Sequence, residues 1–130
     1  MSGKKLLLDT NIIIRHFAND SFIVERIQEK NDIYIPSIVI GELYYGAEPS
    51  FRKKENIEKV EAFAMFFPVL VCDAKTANFY GHIKSDLKSR GTPIPEDDIW
   101  IAAIAMQHKL RVVTNDKHFR NIEELQVINW

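Results

Sequence analysis

The chain has 130 residues, 46% of them hydrophobic, which suits one domain over 1–130 burying roughly two thirds of its unfolded surface. Seventeen Lys+Arg against eighteen Asp+Glu leave a net charge of −1, so any contact with nucleic acid has to come from a local basic patch rather than an overall field. The lone cysteine, Cys72, excludes an internal disulfide and a multi-cysteine zinc site, and is expected to fill core in a reducing compartment.

The apolar run behind Lys4 and Lys5 stops at Asp9, too short for a signal peptide or a membrane span, and the expected location is the cytoplasm. "KLLLD" reads as a strand buried on both faces, because it is short, continuous and apolar. Helices are expected from Asn11 to about Asn19 and over "SFIVERIQEK". "IYIP" is a second strand closed by Pro36, with Ser37 placed to cap the helix "IVIGELYYGA". The charged, amphipathic "FRKKENIEKVEAFAMFF" stops before Pro68. "VLVCD" is a third strand, and "AKTANFYGHIKSDLKSRG" a helix closed by Gly91. "TPIPEDD" is a loop into "IWIAAIAMQHK", a helix apolar nearly all round and therefore buried, with Trp100 in the core. "RVVT", the short turn or helix "FRNIEEL" and "QVINW" complete the chain, the first as a fourth strand and the last as a candidate fifth.

Strands separated by helical segments imply right-handed β-α-β units. The fold class is α/β: three layers, α/β/α, around a central, mostly parallel sheet of four to five strands. Ligands of such sheets bind beyond the carboxyl ends of the strands, where the strand order reverses.

Asp9 ends the first strand, and Asp116 lies just past the fourth, so both belong to that rim. Asp98 opens the buried helix. Glu42 has Ile38, Val39, Tyr45 and Gly46 as its helical neighbours, an apolar face on which a carboxylate is costly without a partner. Four carboxylates at one partly buried rim repel each other unless a cation neutralises them. All-oxygen ligation suits Mg²⁺ or Mn²⁺, and the shortage of Cys and of clustered His argues against zinc. His16, His82, His108 and His118 show no ligand spacing and read as surface or packing residues.

"LLLDTN", "IPSIVIGELYYGA", "GTPIPEDDIWIAAIA", "VVTNDKHF" and the closing "LQVINW" together resemble the PIN-domain ribonucleases, specifically the VapC toxins of bacterial toxin–antitoxin pairs, in order over nearly the whole chain. The resemblance puts Asp9, Glu42, Asp98 and Asp116 on the family's acidic, metal-holding and catalytic positions, with Thr10, Asn11 and Thr114 as supporting polar groups. Asp97 stands beside Asp98 where relatives often carry Asn or another polar residue, and "IWIAA" favours Asp98 as the ligand. His118 occupies a place where many relatives have an acid.

The implied activity is Mg²⁺- or Mn²⁺-dependent endoribonuclease cleavage, with products ending in a 5′-phosphate and a 3′-hydroxyl. Because an acidic pocket repels RNA, cations around it are needed. Arg15, Lys117 and Arg120 are candidates, the latter two nearest Asp116 in sequence. The "GTPI" loop and the closing sequence look most like relatives acting on initiator tRNA, with ribosomal RNA also open. The resemblance further implies a co-produced VapB-type antitoxin. Tyr44, Tyr45, Phe51 and Met65-Phe66-Phe67 exceed what the helices need and offer a groove for its tail, or a homodimer surface. Two other readings stay open: a PIN nuclease for RNA processing or DNA without an antitoxin, and a non-enzymatic Mg²⁺-binding receiver-type module using Asp73 and Lys117.

Overall fold

The computed structural model describes residues 3–29 and 31–130. It contains one five-stranded sheet in the order β3-β2-β1-β4-β5. The strands are β1 Lys5–Leu8, β2 Asp32–Pro36, β3 Val69–Leu70, β4 Arg111–Val113 and β5 Val127–Ile128, and every neighbouring pair is parallel. The helices are α1 Thr10–Phe17, α2 Ser21–Gln28, α3 Ser37–Ala47, α4 Lys53–Phe66, α5 Ala74–Ser89 and α6 Glu96–His108. A 3-10 turn, Lys117–Asn121, links β4 to β5.

Successive side chains of a strand point to opposite faces. Leu6, Leu7 and Leu8 are all at most 1% exposed, so both faces of β1 are covered. That is why the run is continuously apolar rather than alternating. Helix α6 buries Ile99 and Ile101 through Ala105, as its all-round apolar sequence requires. Among the described residues no helix is long and apolar enough to cross a membrane.

The chain leaves β1 for β2 and β3 on one flank, then returns to β4 and β5 on the other. The order therefore reverses at β1, and the crevice between the carboxyl ends of β1 and β4 is the switch point.

Several expectations shift. The third strand is only Val69–Leu70, because Asp73 is already committed to α5: it accepts from the Thr76 amide while its own amide donates to the Thr76 hydroxyl, a capping box. This strand is an edge of the sheet, which removes the receiver-like reading of Asp73 as the acid ending a middle strand. Ser37 does not cap α3; Pro36 holds that position and no side chain bonds the first amides. Proline at the strand end fixes the extended backbone from which the helix starts one residue early.

Helix α6 likewise begins at Glu96, so Asp97 and Asp98 lie within its first turn, where acids complement the helix dipole. Gly91 closes α5 in the left-handed region at φ 70°. Helix α2 ends at Gln28, and Lys30, expected at its end, lies outside the described residues. Cys72 is exposed rather than core filler. Trp100 is only partly buried, its ring stacked on Tyr80 with centroids 4.1 Å apart.

Candidate active site

Asp9 is the first residue beyond β1 and the N-cap of α1, with its amide still in the sheet through Val113 O at 3.0 Å. One carboxylate oxygen accepts from the Thr10 amide at 2.8 Å. The other accepts from the Thr114 hydroxyl at 2.7 Å and the Asn11 amide group at 3.2 Å. Asn11 also accepts from the Asn115 amide at 3.1 Å, tying the ends of β1 and β4 together. The polar trio after the leucines therefore cross-links the switch point.

Asp116 lies two residues after Thr114, whose hydroxyl accepts from the Asp116 amide at 2.9 Å. Its carboxylate accepts from the His118 amide at 2.9 Å, which starts the 3-10 turn. The turn brings His118 Nδ1 to 3.0 Å from Asp98 Oδ2 and 2.9 Å from Asp116 Oδ1. One ligand-type atom from each of Asp98, Asp116 and His118 lies within 4.8 Å of the others. Asp97, by contrast, is exposed, whereas Asp98 is partly buried and faces His118.

Glu42 stands on α3 beside buried Val39 and Leu43, and its Oε1 is buried without a hydrogen-bond partner. The Thr10 hydroxyl is also buried and unpartnered.

Electrostatics join these groups. Burial pushes the Asp9 carboxyl up, the Thr114, Thr10 and Asn11 hydrogen bonds oppose it, and the charge of Asp116 adds to it. Burial likewise raises Glu42, against the nearby Thr10 hydroxyl and together with Asp9, Asp97 and Asp98. Asp98 is raised to about 6, first by burial, then by Asp116 and Asp9 against the pull of His118. The hydrogen bond to Asp98 in turn raises His118.

Three carboxyl groups held above their ordinary range, one with an orphaned buried oxygen, are what a bound cation relieves. The donors are oxygens plus one imidazole nitrogen, which fits a hard or borderline divalent ion. His118 is the member that sequence spacing missed; its position two residues after Asp116, in a tight turn, was the available signal.

The basic candidates divide. Arg15 is engaged inside the protein, with Asp20 at 2.9 Å, Asn115 Oδ1 at 2.9 Å and the Trp130 carbonyl at 2.8 Å. Lys117 and Arg120 are exposed beside Asp116.

An apolar groove of about 760 Å³ runs between α1, α2 and α4, lined by His16, Phe17, Ile27, Phe63, Phe66 and Phe67 among others. A second hollow of about 290 Å³ shares Phe17 and Lys59 with it and reaches Glu42. Tyr45, Phe51, Met65 and Phe66 are strongly exposed, whereas Tyr44 and Phe67 pack partly into the core.

A parallel sheet with acids gathered at its switch point is the arrangement of the PIN domain, and that family matches residues 6–125. Ribonuclease VapC2 of Haemophilus influenzae is 36% identical over 129 residues, spanning 97% of this chain and 98% of the relative. The tRNA(fMet)-specific endonuclease VapC of Salmonella typhimurium is 35% identical over 132 residues, with 97% and 98% covered. Among solved structures, DNA-bound VapBC from Salmonella typhimurium superposes with a TM-score of 0.89 at 35% identity, covering 98% of both chains. VapBC2 from Rickettsia felis, bound to a DNA fragment from the promoter, gives 0.86 at 32%, covering 97% and 98%. The chain belongs to the PIN-domain family, among the VapC ribonucleases.

Proposed function

We propose that this chain is a divalent-metal-dependent endoribonuclease, the toxin of a VapBC-type pair, acting on structured RNA and specifically on tRNA, initiator tRNA included. The observation that carries the reading is the gathering of acids at the β1/β4 switch point: Thr114 ties Asp9 to Asp116, Asp98 and Asp116 present ligand-type atoms within 4.8 Å of each other, and Glu42 Oε1 is buried without a partner. In this reading these four hold the ion, with Mg²⁺ or Mn²⁺ as candidates. The tRNA assignment is supported by the Salmonella typhimurium relative, a tRNA(fMet)-specific endonuclease.

A divalent ion, when bound, lowers the pKa of an attacking water and offsets charge at the phosphoryl group. The protein's part is positioning. Asp9 is fixed through both oxygens, so it needs no reorganisation as charge develops. Thr114 serves Asp9 and Asp116 at once, coupling their placement. Lys117 and Arg120 hold backbone phosphates outside the acidic rim, which positions RNA without reading its sequence. RNA shape and unpaired loops then supply the specificity.

The groove beside α4 is the proposed seat of a VapB-type antitoxin, since the solved relatives are VapBC assemblies. An apolar segment laid there would reach Glu42 through the adjoining hollow and block the rim. A homodimer surface is the competing use, and sedimentation of the chain without antitoxin separates the two.

The test is cleavage of a pooled tRNA and rRNA preparation by the purified protein in Mg²⁺, Mn²⁺ or EDTA, beside Asp9→Asn. Discrete products that need the metal and vanish in the variant are expected. Folded, metal-loaded protein that cuts no RNA would overturn the reading.

A further inference from the structure

We propose that His118 donates its Nδ1 to the cation at this rim, giving the site a mixed oxygen and nitrogen donor set that favours a first-row transition ion such as Mn²⁺ over Mg²⁺. The inference rests on the reading of the rim as a cation site, and goes beyond it in assigning a nitrogen ligand and the selectivity that follows.

The geometry points to it in three ways. Nδ1 sits 3.0 Å from Asp98 Oδ2 and 2.9 Å from Asp116 Oδ1. Neighbouring ligands on an octahedral ion with bonds of about 2.1 Å are separated by roughly 3 Å. In the metal-free protein these separations are hydrogen bonds, so the ion would take the place of the proton that Nδ1 shares with the two carboxylates and meet three donor atoms already grouped within 4.8 Å. The backbone supports the placement: the His118 amide donates to Asp116, and the 3-10 turn starts there, which holds the root of the side chain beside that carboxylate. Finally, the side chain is 48% exposed, so its contacts with the two carboxylates rather than core packing set its orientation toward the rim.

Chemistry then sets the preference. Mg²⁺ dehydrates reluctantly and keeps an oxygen shell, whereas Mn²⁺, although it too suits carboxylates, is a transition ion that takes an imidazole nitrogen more readily. Replacing one oxygen by nitrogen weakens the first and strengthens the second.

The experiment is pulsed electron paramagnetic resonance on Mn²⁺ added to the intact, metal-stripped protein, with ¹⁴N and then ¹⁵N-histidine labelling, alongside titration calorimetry of Mn²⁺ and Mg²⁺. A directly bound nitrogen coupling that changes with the label and disappears in His118→Gln is expected. The ratio of Mn²⁺ to Mg²⁺ affinity should fall about tenfold in His118→Glu, which returns an oxygen ligand. If Mn²⁺ binds and Asp98→Asn abolishes that binding, yet no nitrogen coupling is seen, His118 is not a ligand and the rim reading survives. If Mn²⁺ does not bind, both fall.

Discussion

Thr114 donates its hydroxyl to Asp9 at 2.7 Å across 105 residues of sequence, and the same oxygen accepts from the Asp116 amide. One buried side chain thus sets the positions of two acids from neighbouring strands. It is also the strongest hydrogen bond opposing the effect of burial on Asp9.

Thr114→Val keeps the shape and removes the bond. The Asp9 carboxyl should rise further, and the Asp116 amide loses its partner. Mn²⁺ affinity by calorimetry is expected to fall about tenfold at pH 7. Stability by urea titration should drop by about 1–3 kcal/mol, because polar groups are left unpaired. Unchanged affinity would mean that Asp9 needs no orientation by Thr114.

Asp98→Asn should stabilise the metal-free protein at neutral pH. The folded carboxyl titrates at about 6, above its usual 3.8. A raised carboxyl contributes stability that is complete below the unfolded value and is lost as the pH rises through the folded one. The wild type therefore loses stability between about pH 4 and 6, and the neutral amide does not. An advantage of about 1–3 kcal/mol for the variant is expected at pH 8, vanishing below pH 4. Saturating divalent ion should reverse the order at pH 8. A variant less stable than wild type in EDTA at pH 8 would contradict a destabilising ionised Asp98.

Lys117→Ala and Arg120→Ala should each weaken RNA binding without selecting among sequences. The slope of log affinity against log salt is expected to lessen by about 0.7 for each contact to single-stranded RNA. Equal slopes for wild type and both variants would place the phosphates elsewhere.

Phe51 and Phe66 are exposed, so alanine at both should change stability by no more than about 0.5 kcal/mol. Loss of antitoxin affinity by more than about tenfold is expected from titration with a VapB-type protein. Retained affinity would move the antitoxin away from this face.

Much of this was legible because long-range pairing follows from local signals. Three consecutive buried leucines in β1 and the all-apolar face of α6 announce a covered parallel sheet, and the acids after β1 and β4 then fall at its switch point. What stayed hidden depends on side-chain direction. His118 looks like a surface histidine until the 3-10 turn aims it back at Asp98, twenty residues away in sequence. Arg15 looks like a free cation near the site, yet Asp20, Asn115 and the Trp130 carbonyl hold it. Ser37 has capping chemistry, but the conformation of Pro36 places the helix boundary before it.

The most direct test is the chemistry of the cut ends. Among the described residues, the His118 imidazole between Asp98 and Asp116 offers an alternative at this rim, acting as general base for attack by the RNA 2′-hydroxyl. End-group analysis of tRNA cleaved with Mn²⁺ and with EDTA separates the two routes. Products with a 5′-phosphate and a 3′-hydroxyl, formed only with the ion and lost in Asp9→Asn, are expected. A 2′,3′-cyclic phosphate formed in EDTA and abolished by His118→Gln would contradict metal-dependent hydrolysis by the four carboxylates.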